Sequence, residues 1–116
     1  MSVLPQGKYA RCANGYRMHY LDEGTGPVVV FLHGSGPGAS GYSNFKGNYP
    51  YLVERGYRCI VPDHIGYGFS DKPADVEYPL SFFTECIRQT LDAAGVARCS
   101  LVGNSLGGAI ALQFAL

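Results

Sequence analysis

The sequence is short of several things, and each absence narrows the field. Its longest apolar run is Val28 to Leu32, far below the roughly 20 residues a helix needs to cross a bilayer. Its start, MSVLPQGKYARC, lacks the basic-then-apolar pattern of a secretory signal. Nine basic and nine acidic residues cancel to a formal net charge of zero. With no basic stripe or acidic tail, neither nucleic acid nor a membrane is expected as a partner. No repeat, low-complexity tract or linker divides the 116 residues, which make one domain at most. The four cysteines, Cys12, Cys59, Cys86 and Cys99, include no C-x-x-C spacing. Nothing else suggests export, so buried free thiols and a cytoplasmic location are expected.

What is present argues for a packed core. Apolar residues make up 47% of the chain and charged residues 16%, a balance that disfavours disorder. Short strand-like runs alternate with helical patterns, which predicts an α/β fold. Residues 8–13 and 17–22 read as two strands around an Asn14-Gly15 turn, a strong hairpin signal. Val28 to Leu32 is continuously apolar, as in a strand covered on both faces. It runs into a glycine-rich loop, His33-Gly34-Ser35-Gly36-Pro37-Gly38. An interrupted helix over residues 42–55 ends at Gly56, and Arg58 to Pro62 is the next strand. A second glycine-rich turn follows, DHIGYGFS. Ser81 is the expected N-cap of the clearest helix, with Glu85 behind it and Gly95 closing it. Ser100 to Gly103 is another buried strand, and Leu106 onward is helical. After the hairpin, such crossovers return the chain in one direction, so the sheet is expected to be mostly parallel.

Ser105 is framed by glycines in Gly103-Asn104-Ser105-Leu106-Gly107. The bare pattern G-x-S-x-G is weak, but its place between an apolar strand and a helix is informative. That junction lifts a serine hydroxyl clear of the sheet on a tight, strained turn. The glycines let backbones pass where a side chain would clash. The helix beginning at Leu106 aims unpaired N–H groups and its positive dipole end at the serine, which a developing oxyanion requires. The loop after Leu32 stands where hydrolases of this design supply a second oxyanion donor.

The stretches HGSGPGASGYSNF, DHIGYGFSDKP and LVGNSLGG together resemble the α/β-hydrolase superfamily over residues 9–116. Within it they resemble the hydrolases that cleave meta-ring-fission products of aromatic catabolism. The resemblance implies an α/β-hydrolase fold of which this chain is the N-terminal portion. By position, Ser105 matches the nucleophile, and the N–H groups of Leu106 and Ser35, with Gly34 beside it, match the oxyanion hole. Asn44 and Asn104 match polar residues that line the dienoate end of the substrate. The implied reaction is hydrolysis of a carbon–carbon bond in a 2-hydroxy-6-oxodienoate, with no metal or organic cofactor. The partner is then a small-molecule dienoate, or an ester-like substrate if the chain belongs with the esterases, amidases or proline iminopeptidases of the superfamily. A homo-oligomer of the full-length protein stays open, as does a non-catalytic remnant.

One lack remains. A serine hydroxyl needs a base, and in this fold the acid and histidine follow the serine along the chain. Residues 106–116 contain no Asp, Glu or His. Of the three histidines, His19 is expected at the surface or edge of the hairpin. His33 is expected to order the oxyanion loop, and His64, though beside Asp63, is upstream of Ser105. The acid–histidine pair, the lid and the remaining strands are therefore expected beyond Leu116, and the isolated chain is expected to be inactive.

Overall fold

The computed structural model describes residues 6–12, 14–74 and 76–116. The first five residues, and Ala13 at the expected end of the first strand, lie outside that description. Five strands form one mixed sheet: β1 (Lys8–Arg11), β2 (Arg17–Glu23), β3 (Val28–Leu32), β4 (Arg58–Pro62) and β5 (Ser100–Gly103). Their spatial order is β1-β2-β4-β3-β5. The hairpin joins antiparallel, β2 meets β4 antiparallel, and β3 pairs in parallel with both β4 and β5. The three strands joined by crossovers are thus parallel, as the alternation of elements predicts.

Cover on both faces explains why β3, and β4 after Arg58, are apolar. Val30, Leu32 and Ile60 face one core, together with Met18, Ile65, Ile87 and Ile110. Val29, Phe31, Cys59 and Val61 face the other, against Phe45 and Tyr49. Helices α3 (Leu80–Ala93) and α4 (Leu106–Ala115) cover the first face, and the short helices α1 (Gly41–Phe45) and α2 (Tyr49–Glu54) cover the second. Each strand residue therefore has an apolar partner whichever way it points.

One expectation, the interrupted helix, is sharpened, and three need correction. The helix over residues 42–55 is two helices, because α1 ends at a C-cap on Lys46 and α2 restarts with a proline in its first turn. Gly56, at φ +90°, does close the pair. The N-cap of α3 is Pro79, whose extended backbone presents its carbonyl to the N–H of Phe82, 3.0 Å away. Ser81 is left in the first turn, and Glu85 binds Arg88 instead of capping. The capping box of this chain is Ser40 with Ser43, at the start of α1. His19 is buried, because β2 is an inner strand between β1 and β4. Lastly, β5, expected to be buried, is instead the other edge of the sheet and mostly exposed, with Val102 at 41%, because among the described residues only β3 pairs with it.

Candidate active site

The site grows from the end of β5. Two residues, Asn104 and Ser105, turn the chain from β5 into α4. Ser105 sits at φ 57° and ψ −113°, and it is the one non-glycine with positive φ among the described residues. Such a conformation costs on the order of 1–3 kcal/mol and persists only where its surroundings hold it. Here they do so through backbone bonds. Asn104 N–H donates to Leu32 O at 3.0 Å, Gly107 N–H to Asn104 O at 2.9 Å, and Ala109 N–H to Ser105 O at 3.2 Å.

The two flanking glycines are required by close approach. A Cβ on Gly107 would lie 1.9 Å from Leu32 O, and one on Gly103 would lie 2.5 Å from Gly107 O. Strand β3, the elbow and the first turn of α4 therefore touch backbone to backbone. The Ser105 side chain is exposed and makes no cap to α4. Leu106, as the first residue of α4, has an N–H with no intrahelical acceptor.

The loop after β3 lies across this turn. A Cβ on Gly34 would come 3.3 Å from Asn104 O and 3.5 Å from Ser105 Cβ. Gly34 N–H donates to Asn44 Oδ1 at 3.0 Å, and Asn104 Nδ2 donates to the same oxygen at 3.1 Å. Asn44 thus joins the loop to the serine turn. It is carried on α1, whose start is fixed by the Ser40–Ser43 box and by Gly41 N–H donating to Asp63 Oδ1 at 2.9 Å. Gly34, Ser35, Asn44, Asn104 and Ser105 all line one open cleft of about 440 Å³. Leu106 is not in that lining and stands at the helix start behind it. The Gly34 N–H is already engaged by Asn44.

Beneath the loop, two buried histidines clamp each other. His64 N–H donates to His33 Nε2 at 2.9 Å, so the proton of His33 sits on Nδ1, which donates to Gly34 O at 2.6 Å. His64 Nε2–H in turn donates to His33 O at 2.9 Å, and the rings lie 4.1 Å apart. Burial, reinforced by the neighbouring His33, pulls His64 down to about 3. Burial also lowers His33. Both rings are neutral at pH 7 and committed to holding the loop, as expected for His33.

Asp63, beside His64 in sequence, is a buried hub that fixes the elements around the site. Its carboxylate accepts from His19 Nδ1 at 3.0 Å, from Gly41 N–H at 2.9 Å and from Phe69 N–H at 2.9 Å. Burial raises its pKa, yet these bonds together outweigh burial and hold it low. The signal was in DHIGYGFS: a Cβ on Gly68 would lie 2.3 Å from Asp63 Oδ2, and Ser70 Oγ donates to Asp63 O at 2.7 Å. Asp63 therefore pairs with His19, and His64 pairs with His33. None of the three histidines hydrogen-bonds to Ser105. Among the described residues, no group of three or more His, Cys, Asp or Glu is placed to hold a metal ion.

A strained serine on a strand–turn–helix junction, beside a glycine loop, has a counterpart among known proteins. The sequence pattern of the family described as alpha/beta hydrolase fold matches residues 27–116. The chain belongs to the alpha/beta hydrolase family. Within that family it is 43% identical over 103 residues to the 2-hydroxy-6-oxo-6-phenylhexa-2,4-dienoate hydrolase of Burkholderia cepacia, over 89% of this chain and 36% of that protein. The meta-cleavage product hydrolase of Pseudomonas fluorescens, solved as a serine-to-alanine mutant complexed with acetates, matches with a TM-score of 0.88. Its identity is 37%, over 95% of this chain and 40% of that chain. An esterase from Exiguobacterium antarcticum matches with a TM-score of 0.85 at 32% identity, over 94% of this chain and 39% of that chain. The present chain thus spans about two fifths of the length of these alpha/beta hydrolase relatives. No helix among its described residues is long and apolar enough to cross a membrane.

Proposed function

We propose that the whole protein hydrolyses a carbon–carbon bond in 2-hydroxy-6-oxodienoate ring-fission products, with Ser105 as the nucleophile. The observation that carries this reading is the conformation of Ser105: a strained, exposed serine at a helix start, open to a cleft. The substrate class rests on similarity to the hydrolases of Burkholderia cepacia and Pseudomonas fluorescens.

In this reading the dienol first becomes the keto tautomer, which makes the C5–C6 bond cleavable. Ser105 Oγ adds to the C6 carbonyl, and the oxyanion takes the N–H groups of Leu106 and Ser35. The Gly34 N–H, engaged by Asn44, keeps the loop at the right height. The C5–C6 bond breaks, a proton reaches the departing carbon, and 2-hydroxypentadienoate leaves. Water then releases the other half as a carboxylic acid. Asn44 and Asn104 border the dienoate end. The base that activates Ser105, and its acid partner, belong to the part of the protein beyond residue 116. The isolated chain accordingly turns over little or no substrate. No metal or organic cofactor enters this chemistry, and the location expected is the cytoplasm.

The likeness to the Exiguobacterium antarcticum esterase favours a second reading, ester hydrolysis by the same serine. The ratio of kcat/KM for a dienoate and for a p-nitrophenyl ester, measured on the whole protein, separates the two. A ratio well above one supports carbon–carbon hydrolysis, and a ratio well below one supports the esterase.

A further inference from the structure

Outside the candidate active site, two cysteines 74 positions apart in sequence meet in the core. Cys12 follows β1 at the start of the hairpin turn, where its N–H donates to Tyr16 O and its carbonyl accepts from Gly15 N–H, both at 2.8 Å. Cys86 lies one-half of the way along α3. Cys12 is 3% exposed and Cys86 is 1% exposed, and both belong to one apolar cluster. Cys12 Sγ is 3.9 Å from the Cys86 backbone carbonyl, which sets the two side chains beside each other in that cluster. Both are free. The remaining cysteines differ: the Cys59 thiol donates to Tyr49 O at 3.7 Å, and Cys99 is merely desolvated.

We propose that Cys12 and Cys86 are a redox-responsive dithiol, which a small-molecule disulfide oxidises to a cystine stapling the N-terminal hairpin to α3. The contact makes the two sulfurs unequal. The hydrogen bond from Cys86 lowers Cys12 against the opposing effect of burial, whereas Cys86 is raised by Cys12 and by burial. Cys12, held at the edge hairpin rather than midway along α3, is the thiol reached first and so the attacking one. Access comes through β1, a four-residue strand at the sheet edge that pairs with β2 alone; short edge elements open more readily than the core.

The electron balance is that of thiol–disulfide exchange. Cys12 thiolate attacks one sulfur of oxidised glutathione, and one reduced glutathione leaves. Cys86 then attacks Cys12 Sγ of the mixed disulfide, the Cys12–glutathione bond breaks, and the second glutathione leaves as a thiol. Two protein thiols are oxidised and one glutathione disulfide is reduced. In a reducing compartment the pair stays open, and under disulfide stress it closes. Because the closed loop is long, closure restricts the unfolded chain and raises the melting temperature.

The test incubates the whole protein with oxidised glutathione, quenches in acid, alkylates free thiols and maps the unreduced digest by mass spectrometry. The expected result is one linked pair of peptides carrying Cys12 and Cys86, about 2 Da lighter than their sum through loss of two hydrogens. Reductant should separate them and return the melting temperature to its starting value. Cys86→Ser should accumulate a glutathione adduct on Cys12, and Cys12→Ala should leave basal turnover unchanged. Recovery of Cys12 and Cys86 both alkylated, or a cystine that includes Cys59 or Cys99 instead, would overturn the proposal. The map of the unmodified protein decides the matter even if a variant fails to fold.

Discussion

Asn44 Oδ1 accepts two hydrogen bonds at once, from Gly34 N–H at 3.0 Å and from Asn104 Nδ2 at 3.1 Å. One side-chain oxygen thereby ties the glycine loop after β3 to Asn104, the residue before Ser105, which is 60 positions from Asn44 in sequence. The two asparagines that the family resemblance assigns to the substrate are bonded to each other. That bond fixes the spacing between the glycine loop and the serine turn.

Asn44→Ala should therefore lower kcat on the order of 10-fold to 100-fold, with a smaller change in KM, because misplacing an oxyanion donor weakens transition-state binding. Asn44→Asp keeps an acceptor at the same place and should recover part of the loss. Steady-state kinetics of both variants check this. A rise in KM with kcat intact would mean that Asn44 acts by touching substrate.

Gly107→Ala should remove activity and destabilise the fold. Its Cβ would lie 1.9 Å from Leu32 O, a backbone atom of a central strand that cannot swing aside. A cost of about 3 kcal/mol or more is expected, at the upper end of overpacking effects. Gly36→Ala is the control, since nothing lies within 4 Å of its Cβ. Urea midpoints of the two variants should differ clearly; equal midpoints would remove the close-approach account of the motif.

The acid limb of stability should carry the signature of His64. Its ordinary value of 6.5 falls to about 3 in the fold. Between those values the unfolded chain binds a proton that the native state refuses. Stability is therefore complete above about pH 6.5 and declines as pH falls below it, by up to about 1.4 kcal/mol per pH unit. Between pH 6.5 and pH 5 the parent should lose about 2 kcal/mol more than His64→Gln. Parallel pH dependence in the two proteins would show that His64 does not titrate in this way.

Asp63→Ala leaves His19 Nδ1, Gly41 N–H and Phe69 N–H without their shared acceptor. Loss of a buried carboxylate with three donors should cost about 3 kcal/mol or more in chemical unfolding. Because Gly41 starts the helix that carries Asn44, activity should fall under conditions where the variant is still folded. A variant as stable and active as the parent would contradict the assignment of Asp63 as the anchor of α1.

The strands were the most legible part of the sequence. Val28–Leu32 and Arg58–Pro62 have the boundaries their apolar runs suggest, because strands covered on both faces keep apolar residues along nearly their whole length; Ser100–Gly103 has the expected bounds too, although it is an exposed edge strand. Ser105 was legible for a related reason: its glycines mark close backbone contacts that no other residue permits. His19 was misplaced because a hairpin does not reveal which of its strands joins the sheet. The cap of α3 was misread because Ser81 and Glu85 satisfy a local pattern that Pro79 pre-empts. The Asn44–Asn104 bond, and the bonds of His19 and Gly41 to Asp63, join residues far apart in sequence, and no local pattern carries such information.

The central claim is that Ser105 is the nucleophile, and Ser105→Ala in the whole protein tests it most directly. The measurement is the disappearance of the yellow colour of a 2-hydroxy-6-oxodienoate, followed with and without the substitution. The account predicts that the variant binds the substrate and releases neither 2-hydroxypentadienoate nor the carboxylic acid. Turnover by the variant at the parent rate would contradict it.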